Sequence, residues 1–334
     1  MKKEIVKNLG RTRIFQIALV SALVVSLASC SKDDIAPDIS VVENEGTIID
    51  ILESYGEPDF FDGEEVKGNK GLKPTFSTLN AALGRSGLAS VVARNQLTIF
   101  APTDAAFAEL GLSPANIASV PNLQEILLYH VINGKVFSNQ LSEAWFPTVG
   151  GSYVEITLAD GPKVNESDII STDIQARNGV IHIIDKVMFP PSMNLVQLAL
   201  SFDPEFSILV QAVIKAGLTD VLANEGPFTV FAPTNEAFVA LLDELGFASL
   251  DAIPVDLLTN VLLYHVVGGY AFSSDLSSGQ VETLNGTFDL SLETLTITDA
   301  NGREASLLPG LLNVQASNGV VHVINRVILP DLSK

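Results

Sequence analysis

Apolar positions along the chain fall into helical and strand rhythms, and the whole succession of rhythms is written twice. Ile48, Ile49, Ile51 and Leu52 have helix-like spacing, as do Leu195, Val196, Leu198 and Leu200. A second helix is predicted by Phe76, Leu79, Leu83 and Leu88, at i, i+3, i+7 and i+12, and by Phe206, Leu209, Val213 and Leu218 at the same spacing. Residues 98–101 and 229–232 are short β-prone runs stopped by Pro102 and Pro233, which lack the donor that would continue a ladder. Thr103 and Thr234 then stand where a helix N-cap belongs, Asp104 and Glu236 place negative charge in the first turn, and Gly111 and Gly246 suit a left-handed helix end. Thr-, Val- and Gly-rich segments at 148–158 and 283–298 alternate as antiparallel hairpins do. In NGVIHIID (178–185) apolar residues occupy both faces, which predicts a strand covered on two sides, entered through the Asn178-Gly179 turn and, in the second copy, Asn318-Gly319. Helices mixed with an antiparallel sheet place each copy in the α+β class.

Three blocks fix the correspondence. TIFAPTDAAF (98–107) returns as TVFAPTNEAF (229–238), LLYHVI (127–132) as LLYHVV (262–267), and NGVIHIIDKVMFP (178–190) as NGVVHVINRVILP (318–330). The separation between copies grows from 131 to 135 to 140 residues while the order is kept. This is a duplicated domain rather than a short solenoid repeat, and each copy is long enough to bury its own core. The expected domains are 46–190 and 192–331, abutting with limited freedom because about one residue separates them. From Ser54 to Phe76 is 22 residues against five from Ser201 to Phe206, so the first domain carries a 17-residue insertion, at about 57–75.

The first 29 residues read as targeting. Lys2, Lys3, Lys7, Arg11 and Arg13 form a basic start, and residues 14–29 are an uncharged, largely apolar stretch shorter than the roughly 20 residues a spanning helix needs. Leu27-Ala28-Ser29-Cys30 resembles the bacterial lipobox, in which lipid is attached to the cysteine; an ordinary cleaved signal is the alternative. Cys30 is the only cysteine, so no intrachain disulfide forms. Residues 30–45 read as an acidic tether, and Ser31-Lys32-Asp33-Asp34 is similar to the signal that sends some lipoproteins to the outer face of the outer membrane.

Charge narrows the partners. The whole chain has a net charge of −20, and removal of residues 1–29 leaves 14 basic and 38 acidic residues, a net −24. Such a surface repels phosphate backbones and anionic headgroups, which argues against nucleic acid and assigns membrane attachment to acyl chains on Cys30.

The three ordered blocks, each present twice, resemble the fasciclin domain. The resemblance covers about residues 45–190 and 192–331. It implies a β-wedge of antiparallel sheets packed with several helices, used in secreted or membrane-anchored proteins for adhesion to matrix, cells or surface polymers. In fasciclin relatives the Tyr-His pair is linked to domain integrity and to receptor binding, which makes Tyr129, His130, Tyr264 and His265 candidate contacts. Animal members engage integrins through an Asp-Ile pair before the last block. Asp173-Ile174 stands there in the first copy and Asn313-Val314 in the second, so any such activity rests on the first domain; a turn aspartate and a core isoleucine are the favoured reading.

The remaining chemistry is sparse. All four histidines, His130, His182, His265 and His322, lie in the repeated blocks among large apolar residues, and core histidines paired with backbone are the expected outcome over general bases or metal ligands. No cofactor is called for. The sequence contains no G-x-S-x-G, G-x-x-x-x-G-K-[ST], H-E-x-x-H or G-x-G-x-x-G. Adjacent Phe60 and Phe61 in the insertion form a candidate contact patch, with packing onto their own domain as the alternative. The leading expectation is a non-enzymatic, surface-exposed outer-membrane lipoprotein that binds an extracellular or envelope protein or a polysaccharide. A periplasm-facing accessory lipoprotein and a hydrolase using His130 or His182 are the other readings.

Overall fold

The computed structural model describes residues 46–55 and 74–331; the signal segment, Cys30, the tether, Phe60 and Phe61 lie outside them. The first domain runs α1 (Ile48–Ser54), α2 (Ser77–Ser86), α3 (Ala89–Arg94), β1 (Leu97–Pro102), α4 (Asp104–Glu109), α5 (Leu123–Tyr129), β2 (Val131–Asn133), β3 (Ala144–Pro147), β4 (Tyr153–Thr157), β5 (Lys163–Val164), β6 (Ser167–Ala176) and β7 (Gly179–Ile184). The second repeats the order as α6 (Leu195–Ser201), α7 (Ser207–Lys215), α8 (Thr219–Asn224), β8 (Phe228–Pro233), α9 (Asn235–Leu245), α10 (Val255–Tyr264), β9 (Val266–Gly268), β10 (Gly279–Thr283), β11 (Gly286–Ser291), β12 (Thr296–Thr298), β13 (Glu304–Ser306), β14 (Val314–Ala316) and β15 (Gly319–Ile324).

Local signals act where the residues place them. Thr103 and Thr234 accept from the amides of Ala106 (3.2 Å) and Ala237 (3.3 Å), capping α4 and α9. Gly111 and Gly246 take φ of 69° and 70°, a left-handed end that costs glycine little. The helix anticipated through Leu88 ends earlier. Gly87, at φ 73°, closes α2, and Leu88 becomes the N-cap residue of α3. Asp104 also serves a helix other than its own. Its carboxylate accepts from the Thr75 hydroxyl (2.6 Å) and from the amides of Ser77 (3.0 Å) and Thr78 (2.7 Å), so it caps α2 across 26 residues. Burial raises its pKa, but the hydrogen bonds from Thr75, Thr78 and Ser77 together outweigh burial and hold it below the usual carboxylate value. Asn235 does the same for α7 through the amide of Ile208 (2.9 Å).

Most strand pairings are antiparallel, as expected, but the strands of the first and last blocks lie side by side in parallel. Leu97 pairs with Gly179 through to Pro102 with Ile184, and Phe228 with Gly319 through to Pro233 with Ile324. Every residue of β1 and β7 is buried, which fits apolar residues on both faces. In the first domain seven strands form one sheet, β2-β1-β7-β6-β5-β4-β3. In the second, two four-stranded sheets replace it, β10-β11-β12-β13 and β14-β15-β8-β9. The counterpart of the ten-residue β6 is there divided into β13 and β14 by a helical turn at Pro309–Leu311, where proline offers no ladder donor.

The turn before the last strand is a junction. Asn178 Oδ1 accepts from the amide of Ile48 (2.9 Å), its Nδ2 donates to the carbonyls of Val92 (2.6 Å) and Asn95 (3.0 Å), and its own carbonyl accepts from Leu97 (3.1 Å). One residue thereby ties the start of α1, the end of α3 and the start of β1. Asn318 repeats this with Leu195, Leu222, Glu225 and Phe228. Glycine follows because of space rather than torsion. A β-carbon on Gly179 would stand 2.1 Å from the Leu97 carbonyl oxygen, and one on Gly319 would stand 2.3 Å from that of Phe228.

Each hydrophobic cluster belongs to a single domain, so two separate cores result. The domains meet through aromatic rings. Trp145 of β3 stacks on Phe272 (centroids 4.3 Å, planes within 6°), and Tyr153 of β4 packs against Tyr270 and Phe272 at 4.9 Å each. Gln315 closes the joint as a strand neighbour would, accepting from the Tyr153 amide (2.8 Å) and donating to its carbonyl (3.0 Å).

Two outcomes follow from these contacts. Gly179→Ala and Gly319→Ala force backbone apart and each lower unfolding stability by about 3 kcal/mol, the upper part of the overpacking range, measured by denaturant titration; a loss within error of zero contradicts the packing argument. Trp145→Ala combined with Tyr153→Ala and Gln315→Ala removes the ring and hydrogen-bond contacts of the joint, so a single calorimetric unfolding transition separates into two, whereas unchanged cooperativity would mean these residues do not couple the domains.

Candidate functional site

The Tyr-His pair sits at the end of α5 and of α10 with its side chains turned inward. Tyr129, His130, Tyr264 and His265 are 3, 2, 1 and 2 % exposed. Tyr129 Oη donates to the carbonyl of Tyr153 (2.9 Å) and accepts from Asn165 Nδ2 (3.1 Å), reaching from the helix to the hairpin. Tyr264 Oη donates to Thr287 (2.6 Å) and accepts from the Ala300 amide (3.1 Å). His130 Nδ1 lies 2.7 Å from the Ile126 carbonyl, and its Nε2 accepts from the Met188 amide at 3.0 Å. His265 repeats this between Val261 (2.7 Å) and the Ile328 amide (3.1 Å). An amide donor at Nε2 and a carbonyl at Nδ1 fix one neutral tautomer, with the proton on Nδ1.

The other two histidines are fixed in the opposite tautomer. His182 Nε2 donates to the Val136 carbonyl (2.9 Å), leaving Nδ1 to accept from the Asp173 amide (3.4 Å). His322 pairs with the carbonyl of Ala271 (2.8 Å) and the amide of Asn313 (3.3 Å). The threonine that opens the first block holds the same loop. Thr98 Oγ1 donates to Gly134 and accepts from Val136, both at 2.8 Å, and Thr229 does so with Gly269 (2.8 Å) and Ala271 (2.9 Å).

Asp173 completes this loop clamp. It sits at φ 62°, and its carboxylate accepts from the amide of Ser138 (2.7 Å) and from the Ser138 hydroxyl. Asn313, at φ 58°, replaces it with an amide that accepts from Ser273 N and donates to Ser273 Oγ, each at 2.7 Å. Ile174 is partly buried against the first core. The pair is a turn aspartate and a packing isoleucine.

The family described as Fasciclin domain matches residues 74–190 and 204–330. The chain belongs to the fasciclin family. It is 34 % identical over 259 residues to transforming growth factor-beta-induced protein ig-h3 of Sus scrofa, covering 75 % of this chain and 35 % of that protein. It is 38 % identical over 154 residues to protein sll1483 of Synechocystis sp., covering 45 % of this chain and 81 % of that protein. The chain thus spans about a third of the length of the ig-h3 and periostin relatives it matches. Among solved structures, a FAS1 domain pair from the insect cell adhesion molecule fasciclin I aligns at 19 % identity, covering 75 % of this chain and 95 % of that one, with a TM-score of 0.37.

In this fasciclin protein the Tyr-His pairs are interior fasteners between blocks: Tyr129, His130, Tyr264 and His265, candidate contacts by resemblance, are buried in the folded domains. Tyr153 and Gln315, which join the domains, stand 162 residues apart, beyond the reach of any local spacing rule. Asp104 was marked, but for its own helix only. Among the described residues no group of three or more His, Cys, Asp or Glu is placed to hold a metal ion, and no helix is long and apolar enough to cross a membrane.

Burial pulls the pKa of His130 and of His265 down to about 4, opposed by the hydrogen bonds to Ile126 and Val261. Burial likewise lowers those of His182 and His322. A histidine that is harder to protonate folded than unfolded stabilises the fold fully above its unfolded value of about 6.5, and the stabilisation is lost as pH falls from there toward 4. Between pH 7 and pH 5, His130 and His265 should each cost on the order of 2 kcal/mol of folding stability. Denaturant midpoints at the two pH values test this, and equal midpoints would rule out buried neutral imidazoles.

Proposed function

We propose that this chain is a non-enzymatic adhesion or binding protein of a bacterial cell envelope, held by lipid on Cys30 and displayed at the outer surface on the 30–45 tether, where its two fasciclin domains engage an extracellular or envelope protein or a polysaccharide. One observation carries the reading: the distinctive polar side chains of the family blocks are consumed inside the fold. Thr98, Thr103, Asp104, Tyr129, His130, Asp173, Asn178 and His182 each bond backbone or side chains of their own domain. Neither nitrogen of His130 or of His182 is available to accept a substrate proton, which weighs against the hydrolase reading.

Recognition then belongs to the surfaces the blocks support, where residues are free to vary. Two rigidly joined modules favour repetitive targets, since the second contact forms at a high effective concentration. The strongly acidic mature chain fits neutral or basic partners.

Protease shaving of intact cells, combined with mass analysis of the mature N-terminus, tests the address: release of the domains and a diacylated or triacylated Cys30 are expected. Resistance to shaving with a lipidated Cys30 would favour the periplasm-facing accessory role, and an unmodified Cys30 would remove the anchor.

A further inference from the structure

The two domains share a fold but differ in the side chains beneath their first helix, and in the second domain a pocket opens there. The hydrogen bonds of Asn178 to Ile48 and of Asn318 to Leu195 set Ile48 against Leu195. Leu52 therefore corresponds to Ala199. The bonds of Asp104 to Thr78 and of Asn235 to Ile208 likewise set Leu83 against Val213. Ile99, Ile181, Ile183 and Ile174 are replaced by Val230, Val321, Val323 and Val314, by strand register and by the matched turn residues Asp173 and Asn313.

Every one of these six changes removes carbon. Leucine to alanine takes three, leucine to valine one, and each isoleucine to valine one, eight in all. Val196 in place of Ile49 removes one more, while Leu222 in place of Val92, Val210 in place of Asn80 and Thr219 in place of Ala89 each return one, and Ile214 in place of Gly84 returns four at the exposed mouth. In the first domain Leu52, Leu83, Ile99, Ile181 and Ile183 are at most 3 % exposed. In the second, Ala199, Val230 and Val321 are only partly buried, and Val314 is partly buried like its counterpart Ile174. They line a cavity of about 70 Å³ whose surface is almost wholly carbon. Its mouth is bordered by Phe202 and Ile214, 37 and 61 % exposed. A void whose floor is lined by smaller side chains than the Leu and Ile of the first domain, beneath a mouth that gains Ile214, has the character of a binding site rather than of loose packing.

The chemistry around the mouth limits what enters. Asp203 and Glu205 are exposed on the segment between the lining residues Phe202 and Phe206, and exposed Asp220 follows the lining Thr219. Lys215, next to Ile214, is turned to the carbonyls of Leu250, Asp251 and Ile253, each at 2.8 Å, and neutralises none of them. Anionic amphiphiles are repelled. We propose that the α6–α7 pocket of the second domain binds the alkyl chain of an uncharged amphiphile, an alcohol or a neutral ester.

The test uses the full mature chain from residue 30, with Cys30→Ser so that neither acyl group nor detergent enters the assay, and 1-octanol as the probe. Methyl NMR should show saturable shifts at Val213, Val230, Val321 and Val323, with sodium octanoate at neutral pH binding at least tenfold more weakly. Ala199→Leu, which restores the residue of the first domain, should lose at least tenfold in octanol affinity while first-domain methyl signals stay in place. If that variant does not fold, the Val321→Ile, Val323→Ile double variant gives the same readout. Absence of saturable shifts, or octanol binding that survives the filled pocket, overturns the proposal; equal binding of octanoate overturns the assignment to uncharged ligands.

Discussion

The carbonyl oxygen of Leu97 lies where a side chain on Gly179 would begin, and that close approach is what the rest of each domain depends on. It brings the first block of the sequence against the last and makes a parallel strand pair out of segments 82 residues apart. A long excursion must be closed before any of this burial is gained, an entropic cost that grows slowly with length but delays folding. Asn178 and Asn318 offset it by binding three elements at the closure point. The Asn-Gly dipeptide therefore does two things at one place, polar satisfaction by the first residue and absence of bulk in the second, and neither residue can substitute for the other.

The polar members of the blocks complete the same closure from the inside. Thr98 and His182 hold the 134–138 loop from two strands, Asp173 holds its far end at Ser138, and His130 fastens the end of α5 to Met188. Buried polar groups are costly unless paired, and paired they specify one arrangement among many of similar apolar content. This explains why a histidine, rather than a leucine of similar size, stands at the end of α5: its ring bridges a helix carbonyl and the Met188 amide in the segment after β7, which would otherwise each lose a partner. The acid sensitivity of the fold is a consequence of that bridge, since a protonated ring has two donors and could not accept from Met188.

Local chemistry was legible in the sequence, and long-range chemistry was not. Threonine caps, left-handed glycines and the two-sided strand were read because each involves neighbours within a few residues, where spacing maps directly onto geometry. The parallel pairing of β1 with β7, the capping of α2 by Asp104 and the union of Tyr153 with Gln315 join residues far apart in sequence, and no periodicity encodes them. Residues that resembled surface contacts, Tyr129 and His130 above all, prove to be interior, because an aromatic with a polar tip is equally suited to bridging elements inside a domain. Phe60, Phe61 and Cys30 lie outside the described residues.

Duplication turns one copy into the reference for the other. Where both copies keep a residue, as at Asn178 and Asn318 or His130 and His265, the hydrogen bonds around it are also kept, so closure tolerates no change there. The copies differ at many core positions, Leu97 and Phe228 or Met188 and Ile328 among them, but one set of differences shares a place and a direction. Leu52, Leu83, Ile99, Ile174, Ile181 and Ile183 all border one region, and all are larger than their counterparts. Independent drift in a core exchanges volume in both directions, because loss at one position is relieved by gain at a neighbour. Here the losses lie at the floor of the pocket, whereas the largest gain, Ile214 in place of Gly84, lies at its exposed mouth and does not refill that floor. A second domain released from the packing demands of the first, yet held by the same strand pair, the same asparagine and the same histidines, can keep its fold while giving up volume to a ligand.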